Sequence, residues 1–246
     1  MSSFDQNDFD VRFEWGFRGA DEVGRGARAV VVVDVLRFST VVEAAVSRGA
    51  IVYSYRWRDN SAVEFAKKIG GVLAVRREEA TPEHPFSLSP LSMQTAKPGT
   101  KIILPSPNGA EVSLAAAEHG AEVFAGCLRN ASAVAKAALA IGAPIAVIAA
   151  GERWKVDGSL RPSFEDMVGA GAILNALQSL KLSPEASAAA TVFQHSHHNL
   201  QSLLLECSSG RELSRKGFSD DVVWSARLDA SAAVPHLRDG AFVAKP

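Results

Sequence analysis

The chain has 246 residues, 47% of them hydrophobic, and a formal net charge of −1. Enough apolar residues are present to bury one large core or two small ones, which excludes a disordered or fibrous protein. The near-neutral charge excludes a general electrostatic attraction to nucleic acid or to an anionic membrane surface. Any anion that the chain binds is therefore expected to be held locally, by side chains at a defined site.

Cysteine usage and hydropathy indicate the compartment. Cys127 and Cys207 are far apart and neither belongs to a CxxC pair, which argues against a disulfide framework or a zinc knuckle. The first residues lack a basic start followed by an apolar stretch, and no apolar run reaches the roughly 20 residues of a membrane span. We therefore expect a cytoplasmic protein that is neither exported nor inserted into a membrane.

Strand and helix patterns alternate over the first 150 residues. In chain order they predict strands at residues 11–15 and 30–34, a helix at 39–48, a strand at 51–55, a helix at 60–69, strands at 72–75 and 101–104, a helix at 108–119, a strand at 122–125, a helix at 131–141 and a strand at 144–149. Strands that alternate with helices in this way predict a largely parallel or mixed sheet with helices on its faces.

Beyond residue 151 the pattern becomes mostly helical. Helices are predicted at 164–180, 184–206 and 220–227, with a short strand within 234–243. The long segment 76–98 carries four prolines and is expected to form a lid or an excursion at the sheet edge. We therefore predict an α/β fold with a helix-rich C-terminal part, as a single unit of residues 1–246 or, alternatively, as two α/β subdomains with a boundary near residues 100–150.

The stretch AVVVVDVLRFST at residues 29–40 is the first candidate for chemistry. Its β-branched run is typical of a strand buried on both faces, and ligands of open α/β sheets lie beyond the carboxyl ends of such strands. Asp34 stands at that end, followed by Arg37, Ser39 and Thr40. A guanidinium, hydroxyls and free helix N–H groups suit phosphate oxygens, and a carboxylate suits a hard cation. The alternative is structural, because Thr40 also fits a capping box.

Polar residues begin three other predicted segments. They are Asn108 with Gly109, Arg129 with Asn130, and Glu165 with Asp166. Because the carboxyl ends of parallel strands share one edge of a sheet, we expect these groups to approach Asp34. Asn is also an ordinary helix N-cap, so a capping role stays open for Asn108. Arg129 has no capping role, and ligand binding and a surface ion pair are equally consistent with its position.

Glu165 and Asp166 form a second acidic element in the first turn of a predicted helix. Ser163 and Asp166 have the spacing of a capping box, so Asp166 is expected either to bond back to Ser163 or to face a cation. Adjacent residues on a helix point about 100° apart. One direct and one supporting role therefore fit a metal site better than a shared role.

The order and spacing of five segments resemble the 2-phosphosulfolactate phosphatase family. The segments are DVLRFST at 34–40, SPNG at 106–109, RNASAV at 129–134, AG at 150–151 with SFED at 163–166 and AG at 170–171, and SGREL at 209–213 with DD at 220–221. The resemblance spans most of the chain. It implies an α/β fold, a homodimer and a Mg²⁺-dependent phosphatase that releases inorganic phosphate from 2-phospho-3-sulfolactate, a step toward coenzyme M.

With this resemblance, we assign hypothetical roles to the candidate residues. Mg²⁺ is held by Asp34 and by Glu165 or Asp166, and a metal-bound water is the nucleophile. The catalytic acids are Asp34, Glu152 and Glu165, with Glu152 or Asp34 orienting or deprotonating the water. The groups expected to bind the small phosphorylated anion are Arg37, Ser39, Thr40, Asn108 and Gly109 for the phosphate, and Arg129 with Asn130 for a second anionic group.

Three alternatives stay open at this stage. A covalent aspartyl-phosphate at Asp34 is a rival mechanism, although Leu36 stands where a second acid would be expected. The family usually has GERxG and NSP where this chain has VRREE at 75–79 and LSP at 88–90. This departure keeps open a phosphatase for another small phosphorylated hydroxy acid, and a non-catalytic module that binds an anion at the same edge.

Overall fold

The computed structural model describes residues 4–245. Its strands are β1 (Val11–Trp15), β2 (Ala29–Val33), β3 (Ile51–Tyr55), β4 (Val72–Leu73), β5 (Lys101–Pro105), β6 (Glu122–Gly126), β7 (Ile145–Ala149), β8 (Glu152–Arg153), β9 (Leu160–Arg161), β10 (Pro235–Arg238) and β11 (Ala241–Ala244). Its helices are α1 (Gly16–Gly24), α2 (Phe38–Val46), α3 (Asn60–Ile69), α4 (Gly109–Glu118), α5 (Ala131–Ile141), α6 (Phe164–Asn175), α7 (Pro184–Ser196), α8 (Leu200–Glu206), α9 (Ser208–Arg215) and α10 (Ser219–Ser225). Of the helices in the described range, none is long and apolar enough to cross a membrane.

Nine of the described strands form one sheet, in the order β1-β7-β2-β6-β10-β11-β3-β5-β4. The first four strands of this order are parallel to their neighbours, and so are the last three. The hairpin β10–β11 lies between them and pairs antiparallel with β6 on one side and β3 on the other. The predicted α/β fold, with a mixed sheet, flanking helices and a helix-rich C-terminal part, is confirmed. The predicted unit includes residues 1–3 and 246, which lie outside the described residues, and the domain division stays a prediction.

The apolar run of β2 explains why this strand lies at the centre of one half of the sheet. All five residues of β2 are buried. Successive side chains of a strand point to opposite faces. Val31 and Val33 accordingly pack in the core that contains Ile173 of α6, whereas Val30 and Val32 pack in a separate core on the other face. A strand covered by helices on both faces needs apolar residues at every position, as the sequence indicates.

Several predicted elements differ from the observed ones. Helix α6 ends at Asn175, short of the predicted residue 180, and the predicted helix 184–206 is divided by a 3₁₀ turn at His197–Asn199. The single strand predicted within 234–243 is the hairpin β10–β11. Its turn contains Asp239 and Gly240, both with positive φ (50° and 77°), and Asp-Gly with this geometry is a characteristic hairpin turn. Helices α1 and α9 and the short pair β8–β9 were not predicted.

The segment 76–98 packs against helix α2. It contains two 3₁₀ turns, Arg77–Glu79 and Pro90–Thr95. Phe86 and Met93 of this segment are buried in the core that also holds Phe38 of α2. Because its apolar side chains are inserted in this core, the segment forms a wall beside the loop that follows β2.

Candidate active site

Asp34 directly follows β2 and its carboxylate is buried, with 7% of the residue exposed. One carboxylate oxygen accepts a hydrogen bond from the Phe38 N–H at 3.0 Å, and the other accepts from the Gly109 N–H at 3.1 Å. Burial, together with the nearby charges of Glu152 and Glu165, raises the pKa of Asp34 to about 7. In the absence of a cation, this carboxyl is therefore partly protonated near neutral pH.

Asp166 joins three parts of the site. Its Oδ1 accepts from the Val35 N–H at 2.7 Å, and its Oδ2 accepts from the Gly151 N–H at 2.9 Å and from the Ser163 hydroxyl at 2.8 Å. Burial and the charges of Asp34 and Glu165 hold the pKa of Asp166 well above its usual range. Asp166 bonds back to Ser163, but the Ser163 hydroxyl is the donor and makes no cap hydrogen bond to α6, so the pair is not a capping box. Three donors leave Asp166 little room for a direct metal bond.

Glu165 and Glu152 are less firmly held than Asp166. Glu165 is 2% exposed, and its Oε2 accepts only a thiol hydrogen bond from Cys207, at 3.3 Å. Glu152 lines a surface cavity, and its Oε2 accepts a long hydrogen bond from the Asn108 side chain at 3.4 Å. Burial is the main cause that raises the pKa of Glu152. These two carboxylates keep free lone pairs, because weak or few donors contact them.

The four carboxylates of Asp34, Glu152, Glu165 and Asp166, hereafter the acidic cluster, fit a magnesium ion chemically. Within residues 4–245 no three acidic, histidine or cysteine side chains form a ready-made metal site. Mg²⁺ does not require one, since it keeps several waters and is usually bound by one or two carboxylates together with substrate phosphate. Burial is the main cause that raises the pKa values of Asp34, Glu152 and Asp166, neighbouring carboxylate charges add to it, and a bound cation would offset both.

Arg37 lies at the boundary between the acidic cluster and the cavity. Its side chain is 17% exposed and lines a cavity of about 560 Å³, together with Glu152, Arg161 and Ser209. Among the described residues, no hydrogen-bond partner reaches the buried Nη1 atom of Arg37. Nη1 lies 3.6 Å from Oδ2 of Asp221, so an anion in the cavity would meet the part of the guanidinium that borders the cavity.

The hydroxyls of Ser39 and Thr40 are directed into the protein. Ser39 donates to the Val32 carbonyl at 3.0 Å and accepts from the Asp34 N–H at 3.1 Å. Thr40 donates to the Val35 carbonyl at 2.7 Å. Because a hydroxyl has one proton to donate, this arrangement favours a role in shaping the loop after β2 over the predicted contact with phosphate. Thr40 does not cap α2 either, since its hydroxyl donates to Val35, and the Asp34 carboxylate is the group that accepts from the first N–H of this helix.

Asn108 and Gly109 lie beside the acidic cluster, as predicted. The N–H of Gly109 is bonded to Asp34, and the Asn108 amide joins Glu152 to Arg153, which donates to its Oδ1 at 3.2 Å. A side chain at position 109 would meet the Phe38 ring at 2.3 Å, so only glycine permits this approach. Both residues hold catalytic candidates in place, and their predicted contact with phosphate stays a prediction.

Arg129 and Asn130 are separated from the cavity by their own partners. Arg129 pairs with the buried Glu43 at 2.8 Å, and its guanidinium stacks 3.4 Å from the centroid of the Trp224 ring. Asn130 accepts from the Cys127 N–H and donates to the carbonyls of Ala125 and Ala233. With these contacts made, neither residue is directed toward a second substrate anion, and the geometry favours a structural role for both.

We expect Arg129→Met to lower stability without weakening substrate binding. The substitution leaves Glu43 buried without its cation, which costs about 3 kcal/mol. Urea unfolding measures this loss, and the double substitution with Glu43→Gln should restore part of it, because both charges are then absent. An increase in KM of tenfold or more with unchanged stability would instead support the predicted anion-binding role.

The structure adds cavity residues that received no role in the sequence analysis. They are Arg153, Lys155, Arg161, Ser209 and Lys216. Arg161 donates to the Ser209 hydroxyl at 3.3 Å. A signal was available for Arg161, which stands two residues before Ser163 in the RPSFED segment. The short strands β8 and β9, which carry Arg153 and Arg161 into the cavity wall, gave no recognisable pattern.

The raised pKa of Asp34 predicts a pH effect on the metal-free protein. Between the ordinary aspartate pKa of 3.8 and about 7, folded Asp34 holds more proton than unfolded Asp34, so its contribution to stability falls as pH rises through this window. The shift corresponds to something on the order of 4 kcal/mol. Urea unfolding of wild type and Asp34→Asn at pH 5 and pH 8, in EDTA, measures it. An equal pH dependence in both proteins would contradict the assignment.

Comparison with known proteins assigns this chain to a family. The family model described as 2-phosphosulpholactate phosphatase matches residues 20–240. A probable 2-phosphosulfolactate phosphatase of Carboxydothermus hydrogenoformans is 32% identical over 88% of this chain and 90% of its own length. One of Thermotoga maritima is 30% identical over 89% and 92%, and the 2-phosphosulfolactate phosphatase of Methanothermobacter thermautotrophicus is 29% identical over 87% and 89%. The chain therefore belongs to the 2-phosphosulpholactate phosphatase family, a family of phosphoric monoester hydrolases.

Proposed function

We propose that this chain is a magnesium-dependent phosphatase that hydrolyses 2-phospho-3-sulfolactate to 3-sulfolactate and inorganic phosphate. The observation that carries the proposal is the cavity that is lined by both Arg37 and Glu152 of the acidic cluster. An acidic cluster suits the cation, and a guanidinium suits the phosphoryl oxygens. Family membership supports the same reaction and substrate.

Asp34 and Glu165 are the residues that would hold the magnesium ion, with Asp166 orienting the loop around them. When bound, the ion withdraws charge from the phosphoryl oxygens and lowers the pKa of a coordinated water. The guanidinium of Arg37 donates to a phosphoryl oxygen and neutralises part of its charge. Its planar guanidinium fixes the orientation of the phosphate relative to the acidic cluster.

Glu152 is the best-placed general base. It lines the cavity and accepts long hydrogen bonds at Oε2 from the Asn108 side chain and the Arg153 N–H, whereas both oxygens of Asp34 accept shorter backbone hydrogen bonds. Its raised pKa brings it closer to the operating pH, where a carboxylate accepts a proton from water most effectively. Asn108 keeps Glu152 at the cavity wall through the amide hydrogen bond.

The carboxylate and sulfonate of the substrate would contact the cationic part of the cavity. Arg153, Arg161, Lys155 and Lys216 line it, and Arg161 pairs with Glu152 across the strands β8 and β9. The guanidinium of Arg161 and the hydroxyl of Ser209 are suited to a sulfonate oxygen, because both present N–H or O–H donors. The cavity thus has donors for the two anionic groups that a simple phosphate ester lacks.

Phosphate release from 2-phosphosulfolactate, in Mg²⁺ and in EDTA, tests the proposal. Phospholactate and phosphoglycolate, which lack the sulfonate, are the comparison substrates. Turnover that requires Mg²⁺ and favours the sulfonate by tenfold or more is expected. Preferred turnover of the other esters would reject the substrate but keep the phosphatase, and a folded protein without turnover of any ester would indicate anion binding without catalysis.

We also propose a cytoplasmic homodimer that acts toward coenzyme M. These three points rest on the family resemblance and on the composition of the chain. Sedimentation equilibrium tests the dimer, and a single species of 26.1 kDa would contradict it. Cell fractionation tests the location.

A further inference from the structure

Asp221 is a buried carboxylate that connects two distant parts of the chain to one another. It lies in the first turn of α10 and is fully buried. Its Oδ2 accepts a hydrogen bond from Nη1 of Arg77 at 2.5 Å, and its Oδ1 accepts one from the Ser89 hydroxyl at 2.6 Å. Both partners belong to the segment 76–98, so Asp221 fastens this segment beside the loop that follows β2.

Arg37 approaches the same carboxylate oxygen but does not bond to it. Nη1 of Arg37 is 3.6 Å from Oδ2 of Asp221, longer than a hydrogen bond. Arg77 takes the closer position, and its guanidinium also packs 4.3 Å from the centroid of the Phe218 ring, compared with 6.0 Å for Arg37. Two guanidinium groups thus share one carboxylate, and of the two only Arg77 forms a hydrogen bond to it.

Arg37, which forms no hydrogen bond to this carboxylate, is the arginine that borders the cavity. Arg37 lines it, whereas Arg77 is held between Asp221 and Phe218. The ion pair with Asp221 keeps the Arg37 side chain at the cavity wall, and Arg77 holds the closer position on Oδ2, so the Arg37 guanidinium does not close onto Asp221. Because this group of charges is buried, removing any one of them should have a larger effect than it would in an exposed ion pair.

We propose that Asp221 is a positioning residue for phosphate binding, and that Arg77, by occupying its Oδ2, stops the Arg37 guanidinium from closing onto Asp221 and so keeps it at the cavity wall for a phosphoryl oxygen. This inference rests on the proposed phosphatase function. It assigns the segment 76–98 a role in the site through Arg77 and Ser89, beside Leu88 of the same segment, which lines the cavity.

Asp221→Asn, with Asp220→Asn as the matched control, tests the positioning role. Asp220 is the exposed neighbour in the same turn of α10. We expect Asp221→Asn to raise both KM for 2-phosphosulfolactate and the inhibition constant of inorganic phosphate by tenfold or more, with a smaller change in kcat. Asp220→Asn should leave both constants unchanged. A lower melting temperature with unaltered KM and phosphate inhibition would overturn the proposal, because Asp221 would then act in folding alone.

Arg77→Met provides a second test if Asp221→Asn does not fold. Without Arg77, Arg37 should close onto Asp221 and leave the cavity wall. Inhibition by inorganic phosphate should then weaken, although the buried ion pair between Arg37 and Asp221 is retained. Arg37→Lys should reduce the effect of Arg77→Met, because lysine lacks the planar fork that binds phosphate through two donors. Unchanged or tighter phosphate inhibition in Arg77→Met would contradict the proposal.

Phosphate binding measured by calorimetry separates this inference from the proposed function. If the wild type releases no phosphate from any ester, the proposed function is wrong. The affinity of wild type, Asp221→Asn and Arg77→Met for inorganic phosphate then still tests the arrangement around Arg37. Equal affinity in all three proteins, or no binding by the wild type, would overturn it.

Discussion

Asp34→Asn is expected to abolish phosphatase turnover, with a loss in kcat/KM of about 10³-fold or more. The substitution removes a negative charge from the acidic cluster and replaces one acceptor oxygen by a donor. That donor faces a backbone N–H of Phe38 or Gly109, which now donate to the two oxygens of Asp34. Both the affinity for a cation and the geometry of the loop after β2 are therefore affected.

Steady-state phosphate release from 2-phosphosulfolactate, at saturating Mg²⁺, measures the effect of Asp34→Asn. Asp21→Asn is the control, since Asp21 is a surface residue paired with Arg25 on α1 and such a pair contributes little. Circular dichroism establishes that both variants are folded. A variant that keeps turnover within tenfold of wild type would show that Asp34 neither holds the metal nor activates the water.

Glu165→Gln and Asp166→Asn are expected to affect different properties, although the two residues are adjacent. Glu165 has one weak thiol donor and is available to a cation, so Glu165→Gln should raise the Mg²⁺ concentration for half-maximal activity by about 10- to 100-fold. Asp166 receives three donors from separate loops. Asp166→Asn should instead lower the free energy of unfolding by about 2 kcal/mol, because at least one buried N–H loses its acceptor.

Magnesium titration of activity and urea unfolding in EDTA, applied to both variants, measure this difference. The variants control for one another, because each removes one negative charge from the same helical turn. A large loss of Mg²⁺ affinity in Asp166→Asn with wild-type stability would reverse the assignment. In that case Asp166 would be the direct ligand, and Glu165 the supporting residue.

Local pattern was sufficient for most strands and helices. The bounds of β1, β3, α3 and α5 agree with the predicted ranges, because each has a clear period of two or 3.6 and ends at a glycine or a polar turn. The hairpin β10–β11 was missed although its Asp-Gly turn was visible in the sequence. The short strands β8 and β9 had no such signal, since two-residue strands have no detectable period.

The positions of Asp34, Glu152 and Glu165 were also predictable, because each follows a recognisable element in an α/β order. The partners of the arginines were not. Arg129 pairs with Glu43, 86 residues away, and Arg77 with Asp221, 144 residues away. Nothing in the residues beside an arginine indicates which distant carboxylate will lie within about 4 Å of it.

The sequence by itself therefore determined the α/β class, the strand that ends at Asp34 and the family. Only the tertiary structure decided which cations are available to a ligand. Arg129 and Arg37 both follow a strand and looked alike as candidates, yet Arg129 is neutralised by Glu43, whereas Arg37 shares the carboxylate of Asp221 with Arg77 and borders the cavity. The physical reason is that a guanidinium binds the nearest buried anion, and packing of remote segments sets which anion that is.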